Sequence, residues 1–494
     1  MSGTTQRHAL PAWATILDSL DTLARLPAWL ERAADTARLT ETLRRSVPEF
    51  TSGALALHKC RSKHLLLSRD GASWSGTYYC TVADPSTTQQ RSVALRGVLR
   101  PPHIALPDAA GTPTPFASDA WQFVVPELRL AFQMQPPETQ LDALAELTNP
   151  EQARVLLEQS MERQIASCHP EVLRYHPGLR CTIGYHLTYQ DADSSHQSLP
   201  PFVVAKTYDD ERGRIAYEGM HALWVSPLGA STRVAIAEPI AYVPERRLLV
   251  QGPLSEEQTL YALIETTLQT QSATSRAQLN DYLRKTAIGL AELHSSGVTI
   301  GALHSWEDEM TKVRAFVAPL TTAIPALAPA LMPLFAYIEG LAVGSTPDRQ
   351  VPAHGTFRPA QVLLHQGHIG FIDFDSFCQA EPAMDLALFM VALVDFGMSS
   401  LHAMHPSIPD EGLHRVLEEQ LAQLDAIADT FLAHYTAVHL VSRQRLGLWK
   451  ALNILELVAR SWDRVKPARL KHTIMMLERQ LLSYGSEGSP HGTF

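Results

Sequence analysis

Cysteine is scarce in this chain of 494 residues. The five present, Cys60, Cys80, Cys168, Cys181 and Cys378, are scattered, odd in number and without Cys-x-x-Cys spacing. Neither a disulfide framework nor a zinc site is indicated. Positive charge is not in excess either. Lys and Arg number 41 against 51 Asp and Glu, a formal net charge of −10. Phosphate-backbone contacts need clustered Lys and Arg, so a dedicated nucleic-acid binder is excluded as an expectation. No Gly-x-Gly-x-x-Gly occurs, which removes the usual backbone cradle for phosphates. The N-terminal residues lack a long apolar core behind a basic start, so no secretion signal is expected and a reducing, cytoplasmic setting fits. Residues 315–338 carry no charge and are long enough to span a bilayer, but Pro319, Pro325, Pro329 and Pro333 interrupt them. The expectation is broken, buried helical packing ahead of a loop at His354, with no membrane partner.

What is present is a soluble, globular composition, 45% hydrophobic and 19% charged, long enough for two to four domains. Residues 1–50 read as a helical arm, with Leu17, Leu20 and Leu23 at three-residue spacing and Leu26, Trp29 and Leu30 continuing the face. Residues 51–135 change to short apolar runs divided by polar turns, a β-rich module in which Arg69-Asp70-Gly71 is a tight turn. Its local basic group, His58, Lys59, Arg61, Lys63 and His64, reads as a solvated face. Residues 136–169 are expected as a connecting helix, started by Asn149-Pro150-Glu151.

Beyond residue 170 come two apolar runs, Val172 to Tyr175 and Cys181 to Tyr185, a strand-turn-strand unit around a Pro-Gly turn, in which Arg174 and Arg180 either add phosphate-directed charge or are exposed strand arginines. In the run Phe202-Val203-Val204-Ala205-Lys206-Thr207-Tyr208 a lysine sits in an apolar strand, which is costly without a partner or ligand. Glu218, twelve residues on, lies in a helical run and borders its apolar face. A further strand, Arg247 to Gln251, ends in Gly252-Pro253. Residues 287–297 form a helix pattern with a Gly stop, and His294 within it reads as a packed residue.

Residues 353–389 are the densest stretch. Two short apolar runs, Gln361 to Leu364 and Ile369 to Ile372, are joined at Gln366-Gly367. Asp373 and Asp375 follow the second run. Two carboxylates one residue apart after a buried strand suit a hard divalent cation, and they equally suit a cap with a solvated neighbour.

The order His354-Gly355, then Gln361, then Ile372-Asp373-Phe374, then Asp385-Leu386-Ala387 resembles the C-lobe core of the aminoglycoside and choline phosphotransferases, within the protein-kinase-like fold. The resemblance covers about residues 170–480. It implies an α+β protein, a two-lobed kinase-like domain preceded by the helical arm and the β-rich module, with an N-lobe at 170–252, a helical C-lobe at 253–484 and a mobile tail at 485–494. It makes Lys206 the nucleotide-phosphate lysine, Glu218 its ion-pair partner, Gln251-Gly252 the adenine hinge, Asp373 the magnesium aspartate and Asp385 the brace of the catalytic loop.

Two positions depart from the family. Its catalytic Asp is Thr356 here, and its metal-binding Asn is Gln361. The candidate catalytic residues are therefore Thr356, Arg358, whose guanidinium could contact phosphate, and Asp375; the candidate metal ligands are Asp373 and Gln361. The implied activity is ATP- and magnesium-dependent phosphoryl transfer to a small hydroxylated molecule. The competing expectation is a pseudokinase, a nucleotide-binding or structural module whose residues 1–165 engage a protein partner.

Overall fold

The structure is a computed structural model and describes residues 11–86, 89–107, 122–134, 141, 143–176, 179–190, 200–404 and 410–487. The expected mobile tail lies outside them from residue 488 onward, as does the Pro177-Gly178 turn. The chain separates into two compact units, each assembled from separate stretches of sequence: 1–137, 307–345 and 451–494 in the first, 138–306 and 346–450 in the second.

The first unit opens with helices Trp13–Leu23, Ala28–Ala34 and Thr36–Ser46, whose buried residues include Ile16, Leu20, Leu23, Leu30, Leu39 and Leu43. Asp35 starts the third by accepting the amides of Ala37 and Arg38. Strands β1 (Ala56–Leu67), β2 (Trp74–Ala83), β3 (Gln90–Leu99), β4 (Gln122–Val125) and β5 (Leu130–Met134) form an antiparallel sheet in the order β1-β2-β3-β5-β4. The β1–β2 turn behaves as its sequence predicts. Gly71 has φ of +71°, and a Cβ there would lie 2.4 Å from the Pro319 carbonyl oxygen.

Pro319 belongs to the uncharged stretch, which folds as helices Trp306–Ala323 and Leu327–Val343 with the break around Pro325. Pro319 and Pro333 sit within the helices. The expectation of interrupted, buried helix is met, but these helices join the first unit rather than the body ahead of His354. Packing against the N-terminal helices accounts for this: Tyr337 meets Trp13 with ring centroids 6.2 Å apart. The C-terminal stretch joins for similar reasons, with Trp462 Nε1 donating to Leu23 O at 3.0 Å and Leu67 N to Asp463 Oδ1 at 3.3 Å. The stretch 253–484 thus divides between the units instead of remaining one helical lobe.

In the second unit a short helix Leu144–Leu147 precedes helix Pro150–Met161, capped by Asn149, which accepts from the amides of Glu151 and Gln152 as expected. The connecting helix does not reach 169. Strand β6 already starts at Ile165 and runs to His176. Ile165 and Cys168 bury themselves in the sheet's core, and Pro170 is accommodated because β6 is an edge strand. With β7 (Arg180–Tyr189), β8 (Phe202–Tyr208), β9 (Pro239–Val243) and β10 (Leu248–Gln251) it forms an antiparallel sheet ordered β9-β10-β8-β7-β6. Helix Arg212–Val225 follows β8. The rest is mainly helical, around a hairpin of β11 (Val362–His365) and β12 (His368–Phe371).

One helix among the described residues, Pro382–Met404, is long and apolar enough to cross a membrane. Most of it is buried inside the protein, with Asp385 in its first turn.

Candidate active site

The site grows from two short segments of the second unit, residues 354–361 and 372–376. The first turns back on itself at Gly355, with φ of +84° and no room for a side chain: a Cβ would sit 1.9 Å from the Ser376 carbonyl oxygen. Asp385 holds this turn from below. Its carboxylate accepts from His354 N at 2.7 Å and Gly355 N at 2.9 Å, and it lies 3.3 Å from His294 Nε2. Asp385 is fully buried, which alone would favour its neutral form, but the His294 hydrogen bond and the neighbouring imidazoles and amide carry its pKa below the ordinary value. His294 is itself held by Tyr435, Nδ1 to hydroxyl 2.7 Å, so it is packed rather than exposed to a reactant. His354 donates from Nε2 to Ile372 O at 2.9 Å, and burial pushes its pKa down. These residues stitch the 354–361 turn to the strand end that carries Asp373.

Asp373 takes a left-handed backbone conformation, φ +73°, a region Asp tolerates better than most residues. Its carboxylate pairs with Lys206 Nζ, which reaches it from β8. Burial opposes charge on Asp373, yet the Lys206 ammonium, its hydrogen bond and Arg180 outweigh that and hold the carboxyl at about 2. Thr356 and Gln361 adjoin: Gln361 Nε2 donates to Thr356 Oγ1 at 3.3 Å, while Gln361 Oε1 is buried with no hydrogen-bond partner. A buried carbonyl oxygen without a donor is the kind of atom a cation satisfies, and oxygen ligands suit magnesium. Asp373 and Gln361 therefore fit the ion by chemistry. Arg358 is exposed and bonds Thr356 O through Nε at 3.3 Å.

Two expected positions differ. Glu218 does not reach Lys206; it makes a two-oxygen contact with Arg214, 2.8 and 3.0 Å, on the exposed side of its helix. The buried face comprises Gly213, Ala216, Gly219, Met220 and Leu223, with Phe377 packed against Gly219 so closely that a Cβ there would meet it at 2.5 Å. Glu218 falls just off that face, and Asp373 takes the lysine instead. At the expected hinge, Gln251 is buried in β10 and the Gly252 amide donates to Glu238 O at 2.8 Å, so that donor is already committed within the protein.

Asp375 has both oxygens occupied, by the Tyr208 hydroxyl at 2.7 Å and Arg180 Nη1 at 3.3 Å. Tyr208 escapes a reading of the sequence alone. The available signal is spacing: Tyr208 follows Lys206 by two residues on one strand face, as Asp375 follows Asp373.

Residues 187–405 match the family described as "Phosphotransferase enzyme family" (APH). Among solved structures, the chain is similar to choline kinase LicA from Streptococcus pneumoniae at 13% identity, covering 68% of this chain and 99% of that one, with TM-score 0.42. A glucosamine kinase in complex with glucosamine, ADP and inorganic phosphate matches at 15% identity over 91% of this chain and 99% of that one, with TM-score 0.40. A thermostable mutant of aminoglycoside phosphotransferase APH(4)-Ia matches at 12% identity over 68% and 100%, with TM-score 0.42. No curated protein matches the chain.

Proposed function

We propose that this protein is an ATP- and magnesium-dependent phosphotransferase acting on a hydroxyl group of a small molecule, in the cytoplasm. The observation that carries this reading is the pairing of Lys206 with Asp373, and the unpartnered buried oxygen of Gln361 adds to it. A partly buried cation and a carboxylate facing each other would admit a metal–phosphate group between them, and Gln361 has an oxygen left to offer the ion. Lys206 would then turn to phosphate, and Asp373 with Gln361 would hold magnesium. The ion would neutralise charge on the transferring phosphoryl group.

The remaining work is orientation. Phosphoryl transfer passes through a loose transition state, with catalysis resting on positioning and charge stabilisation more than on proton removal. Thr356, which stands where the family's catalytic Asp would be, offers a hydroxyl and no base. A missing general base costs roughly 10²- to 10⁴-fold, leaving a slow enzyme rather than none.

A second reading is favoured by one specific observation. The loop from His354 to Gln361 contains no carboxylate, and its Thr356 hydroxyl is engaged by Gln361. That suits a pseudokinase that binds nucleotide without transferring phosphate. Calorimetric titration of ATP with and without magnesium separates binding from non-binding, and a search for labelled product in a metabolite extract separates the two readings. Lys206→Ala should weaken binding in a protein that remains folded. A wild-type protein with no heat of binding and no thermal shift overturns both.

A further inference from the structure

The sequence holds no Gly-x-Gly-x-x-Gly segment, the usual backbone cradle for phosphates, so a side chain is the other available source of phosphate donors. Arg180 opens β7 directly opposite Tyr208 of β8 in the strand ladder. These cross-strand neighbours grip the two oxygens of one carboxylate: the Tyr208 hydroxyl donates to Asp375 Oδ1 at 2.7 Å and Arg180 Nη1 to Oδ2 at 3.3 Å. One step away on the same strand face, Lys206 pairs with Asp373. Strand β8 and the segment 373–375 thus meet in two rungs, and Arg180 flanks the second.

Burial distributes the roles. Asp375 is 8% exposed and Tyr208 3%, whereas the Arg180 side chain keeps 30% of its surface. A guanidinium has five N–H donors in a planar fork, and the single bond to Asp375 leaves most of them for a ligand. The fork suits phosphate oxygens, which it can take two at a time.

On the proposed reading of the site, we infer that Arg180 binds the terminal phosphates of a nucleoside triphosphate, doing with a side chain what a glycine-rich loop does with backbone amides, and that Asp375 and Tyr208 aim it. Asp375 is then a positioning residue, one of its oxygens holding Arg180 and the other Tyr208. The ligand class follows from the charge arrangement. Lys206 and Arg180 enter from one sheet, offset by two residues on facing strands, and together match a polyphosphate better than a single anionic group.

The test measures Mg-ATP and adenosine binding by calorimetry on the full-length protein, beside melting temperature without ligand. Arg180→Gln should weaken Mg-ATP about 10- to 100-fold, the range for lost charge-assisted hydrogen bonds, while adenosine binds as in wild type. Arg180→Lys should recover part of the loss. Tyr208→Phe and Asp375→Asn should move Mg-ATP affinity in the same direction by a smaller factor, again sparing adenosine. A merely structural ion pair predicts otherwise: a lower melting temperature with Mg-ATP and adenosine affected alike, or neither affected, and either result overturns the assignment. Failure of wild type to bind Mg-ATP is seen before any variant is made, and it removes the function reading together with this inference.

Discussion

Gly355 offers a measurement in which two costs of a side chain can be separated. Replacing it by Ala forces an L residue to hold φ of +84° and drives a methyl group to within 1.9 Å of the Ser376 carbonyl oxygen. The first cost is conformational, about 1–2 kcal/mol for a non-glycine residue in left-handed space. The second is overpacking against backbone, which cannot swing aside as a flexible side chain would, and adds about 1–3 kcal/mol. Gly355→Ala should therefore destabilise by about 2–5 kcal/mol. Gly297 provides the control within the same unit. It has φ of +75° and no atom within 4 Å of where a methyl carbon would stand, so Gly297→Ala should cost only the conformational part. Urea unfolding of wild type and both variants, followed by tryptophan fluorescence, gives the comparison. Equal midpoints for the two variants would refute the close crossing of residues 355 and 376. A larger shift for Gly355→Ala, with nucleotide binding lost in parallel, would tie the crossing to the site.

Three other outcomes are expected. Asp385→Asn should lower stability by about 1–3 kcal/mol, because an amide cannot offer two acceptor oxygens to the His354 and Gly355 N–H groups; an unchanged melting temperature would contradict that brace. Asp373, held at about 2 against an ordinary value of 3.8, contributes about 2 kcal/mol of stability above pH 4, and this is lost as pH falls from 4 towards 2. Acid unfolding curves of wild type should show that slope, and Asp373→Asn should flatten it. Thr356→Asp should restore a proton acceptor and raise the turnover of a slow phosphotransferase severalfold. Product formation from labelled ATP measures it, and silence in both wild type and variant would favour the pseudokinase.

Much of the site is legible in the sequence because it lies in short, ordered stretches. His354, Asp373 and Asp385 announce themselves by spacing, and Lys206 by its apolar surroundings. The partners are harder to read. Glu218 fits the lysine by helical periodicity, but periodicity leaves a residue beside the buried face indistinguishable from one on it. Here Phe377 against Gly219 sets the rotation. Arg180 is visible in sequence as a candidate charge, but its convergence with Tyr208 on Asp375 depends on strand register, a long-range property that a local pattern does not reveal. The first residues of the strand Ile165–His176 read in sequence as the end of a helix, because Pro170 interrupts the pattern of what is an edge strand. The uncharged residues 315–338 reveal burial but not which core they enter, since an apolar helix carries little information about its partner.

The interleaving of the two units bears on how the chain is made. Leu23 accepts a bond from Trp462, and Leu67 donates one to Asp463, so the first unit lacks part of its own interior until residues beyond 451 exist. The ribosome must add the 313 residues between Pro137 and Ala451 first. At about 5–20 residues per second, that is a delay of roughly 15–60 s. The helices at 307–345 arrive partway through it, but the share of the interior that residues beyond 451 supply stays missing to its end, while the unit carrying Lys206 and Asp373 has its last residue by position 450. The unit begun second is thus the first whose sequence is complete, and the nascent stretch up to Pro137 is where a chaperone would be needed.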